Sequence, residues 1–374
     1  MTEVSKKLSE LTAEQRKLLA LRLRMQKARE AAPAPQEREG GVFPLSFAQQ
    51  RLWVLDRLEP GGIGYNMAFA WRLRGPVDTA ALERALAELV CRHETLRTRI
   101  GVRGGEPVQV VEPFRGWTLP VVDTLIPQSD RDAGFHALAT EAANRPFDLA
   151  AGPLFRASLA RAADDDHLLT WAMHHIVSDG WSTGVFEREL RALYEAFSAG
   201  GPSPLAPLPV QYGDVAVRQR ERLSGDELAR QVAWWKAHLA GAPALLELPT
   251  DRPRPAVRGD AGDTFGFELP GDLVPRVDAL ARAADATPFM VMLAAWQALL
   301  ARWSGQHDVV VGTPIANRTT PDVEGLIGYF ANTLVLRGDL SGDPTFRELL
   351  ARVQASTLGA YEHQDLPFEK LVEE

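Results

Sequence analysis

A single cysteine, Cys91, stands in 374 residues. No disulfide can form within the chain, and no cysteine cluster can hold zinc. Cys91 falls within an apolar helical pattern, which predicts a buried, structural thiol. Positive charge is also scarce. The 41 Lys and Arg are outnumbered by 49 Asp and Glu, for a net charge of −8. Such a chain is a poor candidate for binding nucleic acid, where phosphate contacts need clustered cations. No apolar run approaches the roughly 20 residues of a membrane span. The first residues, Met1-Thr2-Glu3-Val4-Ser5-Lys6-Lys7, have no apolar stretch behind them and do not read as a secretory signal. The expectation is a cytoplasmic protein with neither membrane nor nucleic acid among its partners.

What is present is an ordinary globular balance, 45% hydrophobic and 24% charged. At about 150 residues per domain, the length predicts two lobes. Residues 1–40 stand apart. Thr12 and Gln15 have capping-box spacing, and a basic amphipathic helix runs on through Met25. Pro33, Pro35 and Gly40-Gly41 then break the pattern. This segment reads as a tether or as a docking element. The body divides best at the run Gly200-Gly201-Pro202-Ser203-Pro204, with Pro207 and Pro209. The expected organisation is therefore 1–40, a first lobe over 41–209 and a second over 210–374.

Within the lobes, helical patterns cover 46–58, the stretch after Asp78, 130–145, 181–198, 225–240, 271–285, 288–303 and 344–360. Strand patterns cover 68–73, 95–101, 106–112, 154–160, 167–173, 263–269, 308–313 and 329–336. Helices and strands mix throughout, so the fold class is α/β or α+β. Trp53, Trp234 and Trp235 read as packing residues.

The densest chemical signal is Met173-His174-His175-Ile176-Val177-Ser178-Asp179-Gly180-Trp181-Ser182. It follows an apolar strand and precedes a helix beginning near Ser182. Adjacent residues of a strand point to opposite faces, so one histidine faces a core and the other a cleft. A metal reading of His-x-x-x-Asp lacks a third ligand nearby.

The full pattern His-His-x-x-x-Asp-Gly resembles the signature of condensation domains of nonribosomal peptide synthetases, relatives of chloramphenicol acetyltransferase. Further segments resemble that family's motifs in order: Ser46-Phe47-Ala48-Gln49-Gln50-Arg51-Leu52-Trp53, Arg92-His93-Glu94-Thr95-Leu96-Arg97-Thr98, Tyr212-Gly213-Asp214-Val215, Ile327-Gly328-Tyr329-Phe330-Ala331-Asn332-Thr333-Leu334 and His363-Gln364-Asp365-Leu366-Pro367-Phe368. The fourth of the six departs where the family usually has aromatics. A seventh is missing before Glu374, which implies an incomplete C-terminal lobe. Retention of the first histidine and the order Trp181-Ser182 resemble the subtype that joins an L-configured donor to an L-configured acceptor.

The resemblance implies two acyltransferase-like lobes in a V. Donor and acceptor peptidyl carrier proteins would bring thioesters on 4′-phosphopantetheine arms, and an adenylation domain of the same assembly line would load them. No other cofactor and no metal is implied. His175 is the expected catalytic residue, as a general base or as a group that positions the acceptor amine. The Gly180 N–H, at a helix N-terminus, is a candidate oxyanion donor. The Ser182 hydroxyl either joins it or caps the helix. Asp179 is expected to pin the loop against a buried arginine, Arg97 first and Arg258 second. His174 is expected to face inward. Asn332 is a candidate to reach the cleft from the second lobe, or else a structural amide. Two alternatives from other classes stand beside this reading. One is a noncatalytic platform that recruits carrier proteins or a tailoring enzyme. The other is a free-standing acyltransferase forming esters or amides.

Overall fold

The computed structural model describes residues 40–124, 126–253, 255–256 and 262–374. The expected N-terminal helix and Arg258 lie outside the described residues. The chain forms two compact units. The first runs to Arg222 and takes back Ala316–Ala331, and the second comprises Leu223–Ile315 and Asn332–Glu374. The division falls beyond the proline-rich run because Val210 and Tyr212 pack with Val323, Leu326 and Phe330.

The first unit holds two sheets. Strands β1 (Gly41–Pro44), β3 (Thr98–Arg103) and β4 (Glu106–Val111) form a three-stranded antiparallel sheet in the order β1-β4-β3. Strands β2 (Asn66–Arg74), β5 (Val121–Asp123), β6 (Phe155–Ala163) and β7 (Asp166–His174) form the other, in the order β2-β7-β6-β5. β7 is antiparallel to both its neighbours, with Asn66 opposite His174 and Phe155 opposite Met173. Every residue of β7 is buried, as a central strand covered on both faces requires.

The helices of this unit are α1 (Phe47–Leu58), α2 (Thr79–Arg92), α3 (Arg131–Asn144), α4 (Gly180–Ser198) and α5 (Tyr212–Arg222). Asp78 caps α2 by accepting the Ala81 N–H at 2.9 Å. Behind it Leu82, Ala85, Leu86, Leu89 and Val90 form one buried stripe. That stripe and Val185, Phe186, Leu190 and Leu193 of α4 pack on Leu169, Trp171 and Met173 of β7. Each such side chain contributes roughly 1.5–3 kcal/mol on burial. The alternate residue Ala172 faces a second cluster with Leu52, Ile100, Phe147, Ile176 and Val177. Cys91 departs from expectation. It lies on the exposed side of α2, one position past the buried stripe. Its partial burial and the Glu88 carboxylate hold the thiol pKa above its ordinary value, so it is not an activated nucleophile.

The second unit contains α6 (Gly225–Leu239), α7 (Leu273–Ala283), α8 (Pro288–Ser304), the antiparallel pair β8 (Asp308–Ile315) and β9 (Asn332–Asp339), α9 (Phe346–Glu362) and α10 (Phe368–Glu373). Trp235 is fully buried and donates its indole N–H to the His363 carbonyl at 3.0 Å. Trp234 is stacked between His238 and His363, with ring centroids 4.7 and 4.2 Å away. α8 is capped by Thr287 at one end and stopped by Gly305, at φ 72°, at the other. One of its faces is buried. The other carries Phe289, Met292, Trp296, Leu299 and Trp303, all exposed.

The alternating segment 263–269 is not a strand. Phe265 is 87% and Phe267 73% exposed. A strand pattern needs a partner strand to supply its hydrogen bonds, and none of the described strands pairs with this segment. Among the described residues, no single helix is long and apolar enough to cross a membrane.

Candidate active site

The site grows from the end of β7. His174 is its last residue and is closed to solvent, its ring packed edge-on against Phe147 at 6.1 Å. Its Nδ1 accepts the Ile176 N–H at 3.1 Å, so Nε2 carries the proton. Burial, helped by neighbouring His175, lowers its pKa to about 4. His174 is thus the inward-facing, neutral member of the pair.

The chain then tightens into a short 3-10 turn over His175–Val177. The His175 N–H is held by the Tyr65 carbonyl at 2.8 Å. The ring Nδ1 lies 2.8 Å from the Ser178 carbonyl, which makes Nδ1–H the donor and leaves the Nε2 lone pair as the acceptor. The ring is partly exposed and meets the Tyr329 ring at 4.9 Å and 68°.

Asp179 is the N-cap of α4 and is 2% exposed. One carboxylate oxygen accepts from the Ser182 N–H at 2.8 Å, the Ser182 hydroxyl at 2.7 Å and Arg318 Nη2 at 3.2 Å. The other accepts from the Phe330 N–H at 3.0 Å. With four donors on it, this carboxylate is an anchor and has no capacity left for substrate. The expectation of a buried arginine partner holds, but the partner is Arg318. Arg97 turns instead to the Glu112 carbonyl and to Glu94, three residues before it, at 3.7 Å.

Arg318 donates Nη1 to the Val323 and Leu326 carbonyls and lies 4.0 Å over the Phe330 ring. Burial pushes its pKa down, and Asp179 opposes that shift. Ser182 is fully buried, and its oxygen also accepts Arg318 Nη2 at 2.9 Å and the Gly328 N–H at 3.1 Å. Its hydroxyl is consumed by this network, so it does not serve an oxyanion. The helix cap is Asp179, three residues earlier than Ser182.

Gly180 is the first residue of α4. Its N–H is one of the helix's orphan donors, and no acceptor takes it among the described residues. The residue is exposed, and a Cβ built there would meet nothing within 4 Å. This donor stays available to a ligand at the positive end of the helix. Asn332 belongs to the second unit. Its amide donates to the Gln364 and Leu366 carbonyls at 3.0 and 2.9 Å and accepts from Thr333 and Phe368. It is a structural clamp between β9 and α10.

Sequence reasoning missed the residues that fasten 316–331 to the first unit. His93 is buried, lies 2.7 Å from Glu189 through Nε2, and accepts the Ile327 N–H at 3.3 Å. Thr95 donates to the Ile327 carbonyl at 2.9 Å. The Tyr212 hydroxyl donates to the Tyr329 carbonyl and meets Ser46 Oγ at 2.9 Å. Three of the sequence motifs therefore converge on the backbone of the fifth, and the first reaches it through Tyr212. Among the described residues, no three His, Cys, Asp or Glu side chains gather as a metal site.

The family model of the condensation domain matches residues 39–374. The chain belongs to the condensation-domain family. A linear gramicidin synthase of Brevibacillus parabrevis is 51% identical to this condensation domain over 343 residues, which cover 91% of the chain and 4% of that synthase. The domain thus spans a small part of the length of this much larger relative. The X-domain in a solved complex with OxyB from teicoplanin biosynthesis is 34% identical with a TM-score of 0.80, over 92% of this chain and 75% of that one. The first condensation domain of the calcium-dependent antibiotic synthetase, solved with a substrate analogue, is 25% identical with a TM-score of 0.74, over 89% and 78%. The mixed helix-and-sheet architecture agrees with the expected fold class.

Proposed function

We propose that this condensation domain forms an amide bond between a donor acyl or peptidyl thioester and the α-amine of an acceptor aminoacyl thioester. Both are carried on phosphopantetheine arms of peptidyl carrier proteins, which an adenylation domain of the same assembly line loads. The retained first histidine and the Trp181-Ser182 order favour L-configured donor and acceptor. The observation that carries the reading is the contrast between the two histidines. His174 is buried with its Nδ1 occupied, whereas His175 is partly exposed, spends Nδ1–H on the Ser178 carbonyl and keeps a lone pair on Nε2.

In the reaction the acceptor nitrogen attacks the donor carbonyl carbon. Its proton passes to His175 Nε2 as the C–N bond forms, and the Gly180 N–H supports the oxyanion. The C–S bond then breaks, and the departing pantetheine sulfur takes the proton back from Nε2. The donor carrier leaves as a thiol and the lengthened chain rests on the acceptor.

The test is mass spectrometry of condensation products from loaded carriers. His175→Ala should lower transfer by roughly 10²–10⁴-fold with the far-UV spectrum and melting temperature kept. Near-normal transfer would overturn the assignment. The likeness to an X-domain solved with OxyB favours a second reading, a platform that recruits a tailoring enzyme. On that reading, wild type and His175→Ala alike would yield no product from any loaded carrier pair.

A further inference from the structure

We infer that Tyr329 is a positioning residue for His175, and that the Asp179 anchor acts on the imidazole through it. This rests on the reading of His175 as the reacting base.

Little else holds the His175 ring. The Ser178 carbonyl fixes Nδ1, but one hydrogen bond still lets the imidazole swing about its axis. The face-to-edge contact with Tyr329, with centroids 4.9 Å apart, supplies a second restraint from a different part of the chain. A restraint is useful only if it is itself held, and both neighbours of Tyr329 are pinned. On one side, the Gly328 N–H is bound by Ser182 Oγ. A Cβ at Gly328 would lie 2.2 Å from the Tyr212 ring, so only glycine allows this approach. On the other side, the Phe330 N–H is bound by Asp179. The Tyr329 carbonyl between them accepts the Tyr212 hydroxyl. Three consecutive residues, 328–330, are thus tied through their backbone to Ser182, Tyr212 and Asp179, and the Tyr329 side chain between the ties lies on the imidazole.

Asp179 itself has no hydrogen bond to His175. Its oxygens go to Ser182, Arg318 and Phe330. The route from this carboxylate to the base therefore runs along the 328–330 backbone and through the Tyr329 ring. A near-attack arrangement is sensitive to displacements of about 1 Å, and that is the scale on which a loosened ring would move.

The experiment compares wild type, Tyr329→Phe, Tyr329→Leu and Tyr329→Ala by two readouts. The first is the imidazole ¹⁵N spectrum of selectively labelled protein, with His175→Ala used to assign the signal. Wild type and Tyr329→Phe should give one set of His175 resonances with Nδ1 protonated, whereas the Leu and Ala variants should give averaged or doubled ones. The second is single-turnover transfer between loaded carriers. Tyr329→Phe should keep the rate, and Leu and Ala should lower the maximal single-turnover rate about tenfold with the half-saturating concentration of loaded carriers unchanged. Tyr329→Leu keeps bulk in the site should the Ala variant fail to fold. An unchanged His175 signal in both the Leu and Ala variants would overturn the inference, as would a Phe variant as impaired as they are. If the ¹⁵N signals change as expected while His175→Ala still transfers normally, the positioning contact stands and the catalytic reading falls.

Discussion

Arg318 Nη2 lies 3.2 Å from the Asp179 carboxylate, with side chains 1% and 2% exposed. The pair joins residues 139 positions apart in the sequence. Removing one charge strands the other in a medium that cannot solvate it. Arg318→Met should therefore cost about 3–5 kcal/mol of stability, measured by urea denaturation. The double variant Arg318→Met, Asp179→Asn should lose less than the sum of the two singles, because no bare charge is left. Strict additivity would mean that the two groups do not interact.

His174 gives the domain an acid-sensitive stability. Its native pKa is about 4, below the roughly 6.5 of an unfolded histidine. Above that unfolded value neither state is protonated and the full stability is present. As pH falls the unfolded chain binds a proton that the native ring refuses, so stability declines until about pH 4. The interval between the two values corresponds to about 3 kcal/mol. Urea midpoints followed from pH 8 to pH 4 should fall accordingly. His174→Asn, which has no titrating ring, should flatten that part of the curve.

Gly328 has no room for a side chain. Gly328→Ala would force the Tyr212 ring or the 327–330 backbone aside, at roughly 1–3 kcal/mol for overpacking. A thermal melt checks the loss. The transfer assay should fall further than Gly312→Ala, whose added methyl would meet only the Thr333 side chain at 3.3 Å.

The outward face of α8 should behave as a surface. Trp296 and Trp303 are 51% and 64% exposed, so changing each to Gln should alter stability by no more than about 0.5 kcal/mol. The same changes should reduce binding of an apolar fluorescent dye. A large drop in melting temperature would mean that these side chains are packed in solution.

Much of the scaffold was legible because its elements carry local signals. Asp78, Thr287 and Thr345 are N-caps where the helix patterns begin, and β7 contains the largely apolar run Leu168-Leu169-Thr170-Trp171-Ala172-Met173. The short elements β1, β5 and α10 carry too few residues for a period to emerge. The segment 263–269 carried a strand period without a partner strand, and periodicity cannot report the partner. At the site, the two histidines were separable from their place at a strand end. The need for a cation at Asp179 was also legible, but its identity was not. Arg97 lies in a motif, whereas Arg318 sits in irregular backbone where no pattern points to a contact 139 residues away. Tyr329 stands in a motif, but no sequence pattern reports that its ring meets His175.

The return of 316–331 to the first unit bears on how the protein is made. A ribosome adding about 5–20 residues per second needs roughly 7–28 s to travel from Asp179 to Arg318. Until then the nascent first unit carries a charge awaiting its counterion, and Val210 and Tyr212 await the apolar partners of 323–330. All of the 223–315 stretch must be synthesised before that gap can close. The early half of the chain is therefore exposed to chaperones and proteases for that time, and a translational pause before residue 331 would prolong its vulnerability.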